Sequence, residues 1–474
     1  MKPLAALALA SLAFAQPRPA DVLARIERVK NGLLLPVAIQ GRPPQPMNLA
    51  ERLAHHKVPG VGVAVIDGGR IDWSRGFGVT AEGGGPVTAT TLFQAASISK
   101  PVAAMAALRL AQDGRLDLDA DVNGYLKVWK IPANELTEKK KVTLRGLLSH
   151  TAGTTIHGFP GYAAGAAVPS VVQVLDGEKP ANTRPVRVDI VPGSRHRYSG
   201  GGYTVLQQLL VDVTGEPFPD LMQRLVLGPI GMSRSTYQQP LPAARRGEAA
   251  QPHDGAGRPV PGGPHTYPEL AAAGLWTTPE DLARFAIELQ KALAGEQKRV
   301  LAPATAKQML TPPLGSYALG LGVDGSDEAL RFSHGGSNAG FRCQLVAYAG
   351  TGRGAVVMTN GDRGAALASE IVRSIAREYG WPDFKPRERA VAEVDPAVYD
   401  AYVGTYELRP GNRVEVRREG GTLFLTPPGE ARRELLPEAK DRFFALHQDL
   451  EFRFEADALV ISGGGQETRA KKIR

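Results

Sequence analysis

Cysteine is nearly absent from this sequence. Cys343 is the only cysteine in 474 residues, which excludes an intrachain disulfide bond and a cysteine-rich metal site. The neighbouring His55 and His56 are not part of an HExxH zinc motif, and residues 320–325 match GxGxxG but are followed by acidic residues instead of a helix. We therefore predict that the protein uses no metal ion and no bound cofactor.

Long hydrophobic runs are missing after the first residues. No later segment has the uninterrupted apolar length that a membrane-spanning helix needs. The N-terminus has the pattern of an export signal: Lys2, an apolar stretch over residues 4–14, and Ala13-Phe14-Ala15 as a cleavage site. We predict a signal peptide over residues 1–15, an N-terminal extension over residues 16–47, and an exported protein, periplasmic or secreted.

Two further absences limit the partners and the type of hydrolase. The formal net charge is +8, but the short basic clusters at residues 139–141 and 471–472 are not interleaved with the aromatic residues that a nucleic-acid platform needs. We predict no nucleic-acid partner and a small-molecule or peptide substrate. The motif Gly-x-Ser-x-Gly, which marks the nucleophile of α/β-hydrolases, does not occur.

The elements that are present indicate two domains. An apolar run at residues 61–66, a turn, and a second run at residues 71–79 predict a β-hairpin, and helical and strand patterns alternate up to residue 380. Residues 381–396 are rich in proline and charge, as in a linker. Short alternating strands follow over residues 397–474, which predicts a small all-β barrel. We expect an α/β (α+β) domain over residues 48–380 with the barrel packed beside its site.

One short motif suggests nucleophilic chemistry. Ser97 and Lys100 stand three residues apart where a helix is predicted to begin, so their side chains lie on the same face one turn apart. Serine is a weak nucleophile and needs a neighbouring group that takes its proton, which Lys100 can do. An isolated Ser-x-x-Lys is more typical of a helix cap followed by a solvated lysine.

Two other segments belong with this motif. Tyr198 lies in a Gly-rich loop before a predicted helix, and its phenol can carry a proton from Ser97 to a leaving group; the alternative is a tyrosine packed by its ring alone. A second segment between two predicted strands reads His334-Gly335-Gly336-Ser337-Asn338. Its glycines let a substrate approach the backbone, His334 can bind a substrate carboxylate or support the proton relay, and the Ser337 and Ser97 amides can form an oxyanion hole. The alternative for His334 is a turn histidine.

These three motifs, in this order, resemble the serine β-lactamase-like superfamily, which includes class C β-lactamases, penicillin-binding proteins, D-aminopeptidases and esterases. The run of residues 144–153, LRGLLSHTAG, is typical of the same proteins. The resemblance implies an antiparallel sheet flanked by helices, an acylated Ser97, a proton relay of Lys100 and Tyr198, and an oxyanion hole from the Ser97 and Ser337 amides. It also implies substrate contacts from His334, Gly335, Gly336 and Asn338. The C-terminal region resembles the lipocalin-like barrel appended to such hydrolases.

Two positions depart from the family pattern. Gly200 stands where most members have an asparagine whose amide holds the lysine and the acylamino group of the substrate. His334 stands where many β-lactamases have a lysine, and histidine is largely neutral at pH 7. We therefore expect a hydrolase of small esters or D-amino-acid peptides in preference to β-lactams. The alternative is a penicillin-binding-like protein that is acylated, or binds cell-wall peptide, without efficient turnover.

Overall fold

A computed structural model describes residues 19–296, 299–428 and 432–473, so the predicted signal peptide lies outside the described residues. No helix within these ranges is long and apolar enough to cross a membrane. The helices are α1 (Pro19–Lys30), α2 (Leu49–His56), α3 (Ser99–Gln112), α4 (Glu135–Lys139), α5 (Leu144–Leu148), α6 (Val171–Asp176), α7 (Gly200–Thr214), α8 (Phe218–Met222), α9 (Gly228–Ile230), α10 (Leu270–Ala273), α11 (Pro279–Leu293), α12 (Pro303–Met309) and α13 (Gly364–Glu378). The strands are β1 (Val37–Ile39), β2 (Gly60–Asp67), β3 (Arg70–Gly78), β4 (Phe93–Gln94), β5 (Trp276–Thr277), β6 (Gly322–Asp324), β7 (Arg331–Asn338), β8 (Phe341–Tyr348), β9 (Gly354–Thr359), β10 (Arg387–Arg389), β11 (Gly404–Arg409), β12 (Asn412–Glu419), β13 (Thr422–Thr426), β14 (Arg433–Pro437), β15 (Arg442–Ala445), β16 (Gln448–Phe454), β17 (Ala458–Gly463) and β18 (Gln466–Lys472).

Six antiparallel strands form the central sheet in the order β3-β2-β9-β8-β7-β6. The predicted hairpin is confirmed as β2 and β3. Along β2, Val63 and Val65 belong to one buried core whereas Ala64 and Ile66 belong to another, because successive side chains of a strand point to opposite faces. The sheet is therefore buried on both faces.

Helices cover both faces of this sheet. α3, α7 and α11 contribute to the larger core, whereas α1, α2 and α13 contribute to the second core. Along α13 the buried residues Leu367, Ile371 and Ile375 recur every fourth position, as expected for a helix that packs one apolar face. The antiparallel sheet between two helical layers confirms the predicted α/β (α+β) class.

The predicted connection that contains His334 is in fact a strand. β7 (Arg331–Asn338) pairs with β8 along its whole length, so His334 and the glycines after it lie inside the sheet. The two glycines resemble turn residues, but Gly336 serves the close packing of β7. A Cβ atom at Gly336 would lie 2.2 Å from the carbonyl oxygen of Ala95, so only glycine allows the strand to approach the backbone just before Ser97 so closely.

The C-terminal region forms the predicted small all-β domain. Strands β11 to β18 make a closed barrel in which each strand pairs with the next along the chain and β11 pairs with β18. Large aromatic side chains, among them Tyr406, Phe443, Phe452 and Phe454, are buried in its core. Side chains therefore occupy the inside of this eight-stranded barrel, as they do in other small barrels.

The barrel lies against the sheet face that carries the second core. His447, in the turn between β15 and β16, stacks on His55 of α2 with ring centres 6.1 Å apart. The buried Arg389 of β10 forms ion pairs with Glu438 and Glu451 of the barrel. Because α2 covers the opposite face from α3, the expectation that the barrel packs beside the catalytic motif is wrong.

Candidate active site

Ser97 lies on a short 3₁₀ turn (Ala96–Ile98) directly before α3. Ala96 has a φ of +50°, a left-handed conformation that costs a residue with a Cβ atom about 1–2 kcal/mol. Hydrogen bonds on both sides hold this turn: the Ala95 amide donates to the Leu275 carbonyl at 2.8 Å, and the Ser99 hydroxyl donates to the Ala96 carbonyl at 2.6 Å. The strained backbone thus presents Ser97 at the start of the helix.

Lys100 lies one turn after Ser97, with its side chain 2% exposed. Its Nζ is 3.0 Å from the Ser97 Oγ and 2.8 Å from the Ala272 carbonyl oxygen. The first distance is within the range for direct proton transfer between a nucleophile and a base. The spacing of the motif therefore brings together the two groups that the sequence paired.

Tyr198 joins this pair through its aromatic ring. The Lys100 Nζ is 5.0 Å from the centre of the Tyr198 ring and 5.8 Å from that of Tyr203, so the amine lies over two aromatic faces. Tyr198 immediately precedes Ser199, whose hydroxyl caps α7 by accepting a hydrogen bond from the Gly202 amide at 2.9 Å. The start of α7 thus sets the chain direction at Tyr198, and the three predicted catalytic side chains lie together.

His334 is buried and neutral. Its Nδ1 donates to the Gly335 carbonyl oxygen at 2.6 Å, and its Nε2 accepts from the Tyr317 hydroxyl at 2.9 Å, so both ring nitrogens have partners. Burial, together with the charge of Lys100, lowers the pKa of His334 to about 3. A neutral ring with both nitrogens engaged does not provide the cation that binding of a substrate carboxylate would require.

Tyr317 was missed by sequence reasoning. It lies in the segment before β6, where no periodic pattern or motif marks it, and only the fold brings its hydroxyl to His334. Its ring centre is 4.7 Å from that of His150 and 6.3 Å from that of Tyr198. A half-buried tyrosine thus contacts both His334 and the aromatic rings around Tyr198.

Ser337 and Asn338 point to opposite sides of β7. Ser337 is exposed, whereas Asn338 is 5% exposed. The Asn338 amide donates to the Gln94 Oε1 at 2.8 Å and to the Ala273 carbonyl at 3.2 Å. The Asn338 amide thus braces β7 against β4 and α10, and its predicted contact with the substrate stays a prediction.

The backbone at Gly200 has no room for a side chain. A Cβ atom there would lie 2.9 Å from Cε2 of Phe159 and 3.1 Å from the His157 carbonyl oxygen. An asparagine at this position, the residue expected from the family pattern, would have to displace the Phe159 ring. An apolar ring therefore occupies the side of the site where most members have a polar amide.

The described part of the chain contains no group of three or more His, Cys, Asp or Glu residues that could hold a metal ion. The side chains gathered at the site, Ser97, Lys100 and Tyr198, are those of covalent and proton-transfer chemistry. The arrangement can therefore activate a hydroxyl nucleophile.

Comparisons with known proteins relate this chain to proteins of one family and fold. Residues 47–378 match the family model described as Beta-lactamase, and residues 388–461 match that of a domain of unknown function, DUF3471. Penicillin-binding protein 4* of Bacillus subtilis (strain 168) is 23% identical, over 87% of this chain and 94% of its own. Esterase EstB of Burkholderia gladioli is 27% identical, over 54% of this chain and 71% of its own. The solved structure of an octameric penicillin-binding protein homologue from Pyrococcus abyssi gives a TM-score of 0.59 at 20% identity, over 89% of this chain and 98% of that one, which confirms the predicted fold.

Proposed function

This chain belongs to the beta-lactamase family, and on that premise we propose that it is an exported serine hydrolase that forms an acyl-enzyme on Ser97. The observation that carries the proposal is the 3.0 Å distance between the Lys100 Nζ and the Ser97 Oγ. A buried amine at this distance from a hydroxyl can take the proton of the serine and so activate it as a nucleophile.

The reaction has two stages. The Ser97 oxygen attacks the carbonyl carbon of the substrate while its proton passes to the amine of Lys100, and the amides of Ser97 and Ser337 bind the oxyanion. Tyr198 passes a proton to the leaving alcohol or amine, and the bond to that group breaks. A water molecule then attacks the acyl carbon and gives a proton to Tyr198, which lost its own in the first stage. Lys100 returns its proton to the Ser97 oxygen, and the ester bond to Ser97 breaks to release the free acid.

The substrate we propose is a small ester or a D-amino-acid peptide, rather than a β-lactam. Gly200 provides no side-chain amide for an acylamino group, and Phe159 lies where such a side chain would be. His334 is neutral and engaged on both nitrogens, which removes a cation for the carboxylate of a β-lactam. The similarity to an esterase supports the same choice.

The second candidate is an acceptor that is acylated without turnover. It is favoured by the similarity to a penicillin-binding protein over 87% of the chain. The mechanism is the same up to the acyl-enzyme, so the two functions differ only in the rate of deacylation.

Intact-mass measurements over time distinguish these functions. The purified mature protein is mixed separately with a chromogenic ester, a D-alanyl dipeptide and a cephalosporin, and any adduct is located by peptide mapping. We expect a transient adduct on Ser97 with the ester or the dipeptide that disappears as product accumulates. A persistent adduct with the cephalosporin alone would indicate the acceptor, and an adduct on another residue would contradict the proposal. A mature N-terminus at Gln16 would support export.

The contact between Gly200 and Phe159 provides a test of substrate choice. In the double variant Phe159→Ala/Gly200→Asn, removal of the ring makes room for the amide, and one added hydrogen bond of about 1 kcal/mol raises the ratio of cephalosporin to ester acylation about fivefold. Phe159→Ala alone is the matched control. An equal ratio in the two variants would show that Gly200 does not set substrate choice.

A further inference from the structure

His150 is a buried side chain that the proposed mechanism does not use. It is 2% exposed and has a φ of +59°, a left-handed conformation that is uncommon outside glycine and in which histidine is enriched. It follows α5 in the loop after Leu148, whose carbonyl oxygen accepts a hydrogen bond from the Tyr203 hydroxyl of α7 at 3.0 Å. The loop that holds His150 is thus fixed to the helix that starts beside Tyr198.

His150 makes contacts with three consecutive residues centred on Tyr198. Its carbonyl oxygen accepts from the Arg197 amide at 2.8 Å, and its Nδ1 accepts from the Ser199 amide at 3.1 Å. Its ring centre is 4.2 Å from the Tyr198 ring centre, which is close contact between two aromatic rings. His150 therefore restrains the backbone on both sides of Tyr198 by hydrogen bonds and contacts the Tyr198 ring with its own ring.

The charge state of His150 suits this position. Burial, reinforced by the charge of Lys100, lowers the pKa of His150 well below its usual value, so the ring is neutral next to a lysine. Because Nδ1 accepts a hydrogen bond, the ring proton is on Nε2, and Nε2 has no partner among the described residues. A neutral ring can pack against Tyr198 without repelling the amine that lies 5.0 Å from the same ring.

We propose that His150 is the positioning residue for Tyr198. It holds the phenol in place for proton transfer through its ring contact and through hydrogen bonds that its carbonyl oxygen and its Nδ1 accept from the Arg197 and Ser199 amides. The inference rests on the proposed function, in which Tyr198 acts in the relay. A misplacement of about 1 Å at a catalytic group can reduce the rate about 100-fold, so loss of this support should reduce kcat with little change in KM.

Two variants separate the ring from the hydrogen bond. His150→Asn keeps an acceptor and tolerates positive φ but removes the ring, whereas His150→Phe keeps a ring but removes the acceptor. The matched control is His253→Asn. His253 is also buried, its Nε2 has no partner in the described part of the chain, and its Nδ1 donates to the Asn360 carbonyl at 3.1 Å. We expect kcat to fall about 10- to 100-fold in the His150 variants, with KM within about twofold, and to be unchanged in His253→Asn.

A double-variant cycle with Tyr198→Phe gives the decisive result. If His150 acts through Tyr198, His150→Asn causes no further loss of kcat in the Tyr198→Phe background. An equal loss in both backgrounds would overturn the inference, as would a His150 variant with wild-type kcat.

Crystal structures of the His150 variants make the inference independent of activity. The Tyr198 ring should move relative to Lys100 while the Ser97 turn stays in place. An unmoved ring would overturn the positioning role even if the proposed function holds. If the wild type has no turnover, a displaced Tyr198 ring in the variants would still support the positioning role, and the missing turnover would count against the proposed function. If one substitution prevents folding, the other still gives both measurements.

Discussion

A Ser97→Ala variant is expected to lose acylation and turnover completely and to keep its fold. The Ser97 hydroxyl is partly exposed, and its hydrogen bond is with the Lys100 amine, so its removal costs about 1 kcal/mol of stability at most. Alanine has no hydroxyl, so the variant cannot form the ester intermediate at this position. Intact mass after mixing with ester measures the first effect, and thermal unfolding measures the second.

Ser99 provides the control for this experiment within the same motif. It is fully buried, and its hydroxyl donates to the Ala96 carbonyl and accepts from the Leu275 amide at 3.0 Å. Ser99→Ala is expected to lose about 1–3 kcal/mol of stability because buried partners are left unpaired, and still to form the adduct. An adduct that persists in Ser97→Ala and vanishes in Ser99→Ala would show that Ser99, and not Ser97, is the nucleophile.

The contrast between these two serines shows what local sequence predicts well. Three-residue spacing at a helix start placed Ser97 and Lys100 on one face, and the structure has their side chains in contact. Two apolar runs separated by a turn likewise predicted the β2–β3 hairpin, since a hairpin depends on neighbours within a few residues. Such features depend on the geometry of one helix or one hairpin, so a short stretch of sequence is enough to predict them.

Other features depend on residues that are distant in the sequence. Gly336 resembles a turn residue, but its lack of a side chain serves the packing of β7 on Ala95. The space beside Gly200 is occupied by Phe159, and Asn338 is held by Gln94. Each of these relationships depends on the packing of two segments against each other, which the pattern of either segment alone does not contain.

The docking of the barrel was unpredictable for the same reason. Composition predicts a linker over residues 381–396, but it does not specify which face of the catalytic domain the barrel contacts. That face is determined by the stacking of His447 on His55 and by ion pairs of Arg389. The barrel therefore packs on the side of the sheet away from Ser97. An effect of the barrel on catalysis can thus be measured without changing residues of the site.

A Lys100→Met variant is expected to lower the acylation rate about 10²- to 10⁴-fold, the usual contribution of a general base. Methionine has a similar length and is apolar, so it can occupy the buried position of the side chain. The Ala272 carbonyl loses the 2.8 Å hydrogen bond from Lys100, which costs about 1–3 kcal/mol, offset by removal of a buried amine. Burst kinetics with the chromogenic ester measure the rate, and thermal unfolding measures stability.

The comparison with Tyr198→Phe identifies the base. If Lys100 takes the proton of Ser97 directly, Lys100→Met slows formation of the acyl-enzyme even for an ester with a very good leaving group, whereas Tyr198→Phe slows it mainly for poor leaving groups that need a proton. Lys140→Met, at an exposed lysine, is the control and should react like the wild type. Equal acylation rates in Lys100→Met and the wild type would assign the base to another group, because the 3.0 Å contact between the Lys100 Nζ and the Ser97 Oγ would then have no part in activating the serine.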